Sequence, residues 1–319
     1  MKYFYIFMLF VIWGLPATAN DWKLIGFEGV PIYAIAVSPV DKDVLYVFAK
    51  DEGLFASSDG GATWACEYKS KSQVNCLAID RFNTRLLYAG YDDGVLVRIP
   101  ESGKYKEVII QRGIKTSSLV LDETSTKAVV IGTAKGIYKS FDQGASFMPA
   151  GLSNFAITCL AIDNSGAKAV LYAGTPTAGV FKSANYGTTW TPVNTGLKNL
   201  EVYSLLCDMK TPSIIYLGTL EENIYTSENG GDSWQALPIN NKLNQGYALA
   251  QAIDQATNTT VIYLTSLSGD VHKILERGKT INKLSGQVAN IYGICLGITN
   301  LVPSILYLGT TTGLLKLDE

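Results

Sequence analysis

Residues 57–64 read Ser57-Ser58-Asp59-Gly60-Gly61-Ala62-Thr63-Trp64, and the pattern Ser-x-Asp-x-Gly-x-Thr-Trp returns three more times. Ser140 to Phe147 is SFDQGASF, Ser183 to Trp190 is SANYGTTW, and Ser227 to Trp234 is SENGGDSW. Each copy follows a short apolar run such as Gly179-Val180-Phe181-Lys182. One copy has the chemistry of a hairpin turn. Asp59, Asp142, Asn185 and Asn229 are side chains that bond the backbone of their own turn. Gly61, Gly144, Gly187 and Gly231 supply the positive φ that a tight turn needs. Thr or Ser then opens the return strand, and the ring of Trp64, Phe147, Trp190 or Trp234 fills space beside the turn.

A second motif sets the period. Apolar runs ending in Tyr-x-Gly, or a close variant, place a Tyr or Val at Tyr46, Tyr88, Val130, Tyr172, Tyr216, Tyr263 and Tyr307, in steps of 42, 42, 42, 44, 47 and 44 residues. A repeat near 42 residues holding about four short strands is the signature of propeller blades. The fourth repeat predicts strands over 157–162, 169–174, 179–183 and 188–193, rich in Val, Ile, Tyr and Phe and joined by Gly, Asn, Asp and Ser. Seven registers predict an all-β chain, a single seven-bladed β-propeller of four-stranded blades. Repeats two and six keep only traces of the octapeptide, at Ile99 to Lys106 and Ile274 to Ile281. The seventh repeat stops at Leu317, one strand short, while Asn20 to Leu24 reads like the segment that follows an octapeptide, with Trp22 in the Trp place. The last blade is therefore expected to be closed by the N-terminal strand, which removes exposed sheet edges.

The octapeptides resemble the Asp-box, or BNR repeat, of sialidases, xyloglucanases, sortilin-type receptors and the photosystem II assembly-factor family. The resemblance spans essentially all of residues 20–319. It implies a folding staple on the rim of a propeller and no catalytic role for the box itself. The single-propeller relative nearest in size is the assembly-factor family, which is exported and binds a protein client. The five arginines here, Arg81, Arg85, Arg98, Arg112 and Arg277, are too few for the arginine-rich client patch of that family.

Lys2, the apolar run Tyr3 to Leu15 and the Ala17-Thr18-Ala19 site predict a signal peptide over 1–19, cleaved before Asn20. The apolar run is short for a membrane span of about 20 residues. An exported protein, periplasmic or secreted, is expected, with one propeller over 20–319 and no stable membrane span. A net charge of −2 argues against nucleic acid as a partner. One histidine, His272, and no Cys-x-x-Cys or phosphate loop leave nothing on which to build a metal or cofactor site, so none is expected. Cys76 and Cys159 occupy the same place in two repeats. Matching places even of neighbouring blades are about 10 Å apart, too far for a disulfide, so these cysteines, with Cys207 and Cys295, read as small buried apolar residues.

Three groups of residues are candidate sites. Asp80, Asp122, Asp163, Asp208 and Asp254 recur at the end of the first strand of a repeat and read as turn formers; as paired carboxylates they would suit a glycoside hydrolase. Val97-Arg98-Ile99-Pro100 resembles the sialidase Arg motif, but the other sialidase arginines have no matching positions. A xyloglucanase-like hydrolase needs two propellers, and one is present. The remaining group is a loop face. Tyr33, Asn75, Ser117, Thr158, Tyr203, Leu249 and Tyr292 are aligned at the start of the first strands. Acidic loops add Asp51, Glu52, Asp92, Asp93, Glu221, Glu222 and Asp270. Tyrosines at a channel mouth suit stacking on a peptide or sugar. The expected function is a monomeric, non-catalytic scaffold binding a protein or peptide client there; the alternative is a glycoside hydrolase or carbohydrate binder.

Overall fold

The structure is a computed structural model that describes residues 22–70, 72–124, 127–219, 224–237, 246–254, 257–266, 270–284, 293–298 and 304–318. Residues 1–19, where a signal peptide is expected, lie outside them. Seven four-stranded antiparallel sheets follow one another, six with their strands in sequence order and the seventh with the N-terminal strand at its outer edge. Blade one takes Ile32–Val37, Leu45–Ala49, Gly53–Ser57 and Ala65–Tyr68. Blade four takes Cys159–Asp163, Val170–Gly174, Val180–Ser183 and Thr191–Pro192. The first strands touch one another in ring order, and that of blade seven, Gly293–Ile298, returns to that of blade one. The fourth strand of blade seven is Lys23–Gly26, paired Lys23↔Lys316 and Leu24↔Leu315 with the C-terminal strand Gly313–Asp318. The N-terminal closure expected from Trp22 is thus present, and Trp22 packs against the core of blades six and seven.

The second strand of each blade is covered on both faces by neighbouring blades, so it reads as an unbroken apolar run instead of an alternating one. Leu45–Ala49, Leu87–Tyr91, Val129–Thr133 and Ile215–Thr219 are buried at every residue. The Gly two places after the repeated Tyr is set by close approach. A Cβ on Gly174 would lie 2.5 Å from Cys159 Sγ and 2.7 Å from Val202 Cγ1 of the next blade. On Gly90 it would meet Cys76 Sγ and Thr116 Cγ2 in the same way.

The octapeptides close on themselves through one set of bonds. Ser57 Oγ accepts Gly61 N at 2.9 Å and donates to Asp59 Oδ1 at 2.7 Å, and Thr63 N donates to Asp59 Oδ1 at 2.9 Å. The same atoms of 140–147, 183–190 and 227–234 repeat this set. Donation from Thr63 and from Ser146 holds the Asp59 and Asp142 carboxyls at about 2, below their ordinary value. Trp190 Nε1 donates to Ala150 O and Trp234 Nε1 to Val193 O, both in the preceding blade. Trp64 instead meets Phe27 edge-on at 5.3 Å, and its Nε1 is buried without a partner.

The seams use a pair of residues that the repeat pattern alone did not explain. Tyr172 Oη and Lys182 Nζ both donate to Gly230 O, in the octapeptide of the next blade, at 3.0 and 2.7 Å. Tyr307 Oη and Lys316 Nζ reach Gly60 O at 3.3 and 3.5 Å. Lys139 Nζ donates to Tyr186 O at 2.9 Å. The Lys closing the apolar run before an octapeptide therefore pins the following blade's octapeptide.

The fourth strand of blade four is shorter than expected. Over 188–193 the strand is Thr191–Pro192, with Val193 N donating to Val180 O beyond it, because Thr188 N and Thr189 N are already bound to the main chain and side chain of Asn185. The first strand of blade four begins at Cys159, two residues later than expected. Cys159 and Cys207 are buried and Cys76 is mostly enclosed, and burial pushes all three thiols up, to about 12 at Cys76 and Cys159. Cys66, on the outer strand of blade one, is exposed, so burial does not extend to every cysteine.

Candidate functional site

The mouth of the central channel is built by a bulge. In blade one the pairing of the first and second strands jumps from Ile32↔Ala49 to Ala34↔Phe48, leaving Tyr33 unpaired. Val74/Cys76, Thr116/Ser118 and Val202/Ser204 skip Asn75, Ser117 and Tyr203 in the same way. A bulge re-aims a side chain. Tyr33, Asn75, Ser117, Thr158 and Tyr203 line a single depression of ≈ 550 Å³, with Gln73, Lys115, Ala134, Ala156 and Ile157 completing it.

Three of these residues also bind blade to blade. Asn75 Nδ2 donates to Thr116 O at 3.2 Å, Ser117 Oγ donates to Ile157 O, and Thr158 Oγ1 donates to Val202 O. Gln73 Nε2 donates to Asn75 Oδ1 at 3.2 Å. Tyr33 is half-buried against the core between blades one and two, and Tyr203 is half-buried. Lys115 is the one charged side chain lining the depression among the described residues.

The alignment of Leu249 and Tyr292 with this set is corrected by register. In blade six the jump falls between Gly246 and Ala248, so the skipped residue is Tyr247; in blade seven it falls between Gly293 and Cys295, and the residue is Ile294. Tyr292 lies outside the described residues, as do Glu221 and Glu222. The skipped residue stands 13 before the repeated Tyr or Val in blades one, two, three, five and seven. Counting back from that Tyr would have found Ile294, whereas the longer hairpin of blade six puts Tyr247 16 before Tyr263.

Three acids of this face, Asp92, Asp93 and Asp270, have local partners. Asp93 Oδ1 accepts Gly113 N, and its carbonyl accepts Ile110 N and Gln111 N, which pins the loop leading into blade three. Asp92 Oδ1 lies 3.4 Å from Asn75 Nδ2. Asp270 pairs with Lys283 at 2.6 Å.

The other candidates resolve as structure. Asp80, Asp122, Asp163, Asp208 and Asp254 each accept backbone N–H groups two or three residues on, as turn formers do. Arg98 donates bidentately to Glu67 at 2.8 and 3.1 Å and to Arg85 O, and Tyr105 Oη donates to the same carboxylate. This network joins blades one and two at the rim. Burial, with the Glu67 carboxylate beside it, raises the Tyr105 phenol strongly. His272 is buried, and its Nδ1 has no partner. No group of three or more His, Cys, Asp or Glu arranged to hold a metal ion occurs among the described residues. No helix among them is long and apolar enough to cross a membrane.

Comparison with family models and with curated proteins returned no match. Solved structures do match. The extracellular domain of the putative hybrid two-component system BT4673 from B. thetaiotaomicron aligns with 93% of this chain at 16% identity and a TM-score of 0.72. A GH74 xyloglucanase from Xanthomonas campestris aligns with 93% at 14% identity and a TM-score of 0.72. The chain spans 40% of the first and 53% of the second. YCF48, solved bound to a D1 peptide, aligns over 96% of both chains at 14% identity and a TM-score of 0.69. Likeness at these identities is one of fold, and the fold is a seven-bladed β-propeller of four-stranded blades.

Proposed function

We propose that this chain is an exported, non-catalytic β-propeller that binds a protein or peptide client across its channel mouth. The four octapeptides are Asp-boxes on this reading, residues 1–19 are a signal peptide, and 20–319 form one monomeric propeller. The observation that carries it is the ≈ 550 Å³ depression in which Tyr33 and Tyr203 stand over a lining with one charged residue, Lys115. Half-buried tyrosines are rigid, amphipathic anchors of the kind that dominate protein and peptide interfaces. Two comparisons support the reading: a peptide-bound structure of the same fold and size, and the extracellular placement of another.

The test is affinity capture with residues 20–319 from the envelope fraction, repeated with Tyr33→Ala/Tyr203→Ala. Loss of two anchors at about 2 kcal/mol each, taken as additive, weakens a client by about a thousandfold. The expected result is a client that is lost in the variant while the melting temperature holds. A variant that unfolds would show that the tyrosines serve packing. The amides of Gln73 and Asn75 beside the two rings favour a second reading, a carbohydrate ligand. An empty capture followed by binding on a glycan panel would select it.

A further inference from the structure

The opposite face carries a cavity at a seam that lacks its Lys. In each blade one residue of the third strand stands opposite the repeated Tyr or Val. It is Lys139, Lys182, Lys273 and Lys316 in blades three, four, six and seven. In blade one it is Ala56, and there Arg98 of blade two enters the seam and binds Glu67. In blade five it is Thr226, opposite Tyr216. Thr226 is 9% exposed, and its Oγ1 is buried with no partner. Across that seam blade six has no full octapeptide. Its turn is a short 3-10 segment, Glu276–Gly278, with Arg277 at φ 58°. The Tyr–carbonyl bonds seen at Gly60 and Gly230 have no counterpart at Tyr216 among the described residues.

The unfilled seam is a cavity of ≈ 560 Å³ that Tyr216 lines together with Lys210, Arg277, Lys279, Asp208 and Glu228. Three cations face two carboxylates. Asp208 already accepts from Lys210 N, Thr211 N and Thr260 Oγ1. Glu228 lies 4.0 Å from Arg277 with both side chains more than half exposed, a weak pair that a better acceptor displaces. Seam two–three also lacks the Lys, having Val97, but its cavity is only ≈ 200 Å³ and is lined by Asp80, Asp122 and Lys127.

We propose that the seam between blades five and six binds a small polar molecule through an oxyanion, with Arg277 and Lys279 as charged donors and Tyr216 Oη as the neutral one. The volume exceeds that of a bare phosphate or sulfate and falls in the range of small-molecule sites. Guanidinium and ammonium donors to an oxyanion form the strong, charge-assisted class of hydrogen bond.

The test is isothermal titration calorimetry of residues 20–319 with inorganic phosphate, inorganic sulfate and glucuronate, at low and raised salt. Saturable binding of at least one probe, weakened by salt, is expected. Arg277→Gln/Lys279→Gln removes two exposed charges without touching the core, and should weaken binding by at least about tenfold. Thr226→Lys should restore the seam Lys and abolish binding with the melting temperature kept or raised. Phosphate or sulfate binding alone identifies a free oxyanion, and tighter glucuronate a sugar acid. Failure of all three probes, or unchanged affinity in Arg277→Gln/Lys279→Gln, overturns the proposal.

Discussion

Gly174→Ala isolates the packing of one blade on the next. Gly174 ends the second strand of blade four with φ outside the left-handed region, so Ala strains no backbone. Through the unfolded state alone, the substitution would stabilise by about 0.4–1 kcal/mol. Against that, the new methyl would lie 2.5 Å from Cys159 Sγ and 2.7 Å from Val202 Cγ1, with both residues buried. Overpacking a core of this density costs about 1–3 kcal/mol. At the middle of both ranges the clash wins, and net destabilisation of roughly 1.3 kcal/mol follows. Urea denaturation should show a lower midpoint with an unchanged slope. In a Cys159→Ala background the nearer contact is gone and the penalty should shrink, leaving the Val202 share. Stability equal to or above that of the unaltered protein would refute the close-approach account. The same penalty in both backgrounds would refute the role given to the thiol.

Two further substitutions test the octapeptide and the lone histidine. Ser227→Ala removes the buried hydroxyl that accepts Gly231 N and donates to Asn229 Oδ1. The buried N–H loses its acceptor, so a cost of about 1–3 kcal/mol is expected by chemical denaturation, and a neutral result would show that the turn holds without its Ser. His272 is held below its ordinary value chiefly by burial, with Asp270 opposing, so the unfolded chain binds the proton more readily. Its contribution to stability is complete above about pH 6.5 and is lost as pH falls through the folded value. Melting temperatures between about pH 5 and 7 should flatten in His272→Gln, and an unchanged slope would assign the dependence to other groups.

Architecture was legible because two motifs recur with different physical duties. The octapeptide announces a turn through its own hydrogen bonds, and the Tyr-x-Gly run announces a doubly covered strand. Neither needs tertiary information to be recognised. The channel mouth was partly legible: Tyr33, Asn75, Ser117, Thr158 and Tyr203 do share one depression. Blade six was misread because its first hairpin is longer than the others, and periodic counting cannot see on which side of the turn the extra residues fall. Tyr247 was missed for that reason. The Lys–Tyr seam was illegible for a different one. Lys182 and Gly230 O are 48 residues apart, and an acceptor on the main chain leaves no trace in side-chain identity.

Ring closure has a consequence for the order of assembly. Lys23 meets Lys316 across nearly the full chain, whereas every other fourth strand pairs within its own repeat. The six complete blades can form as each is synthesised, but the seventh must recruit a segment made long before. The entropy of joining such distant residues grows only logarithmically with separation, by about 0.6 kcal/mol per doubling, so the delay is not a thermodynamic burden. It is a burden of time. Until its partner strand emerges, the first-made segment must stay unpaired and avoid every competing sheet edge that the growing ring presents.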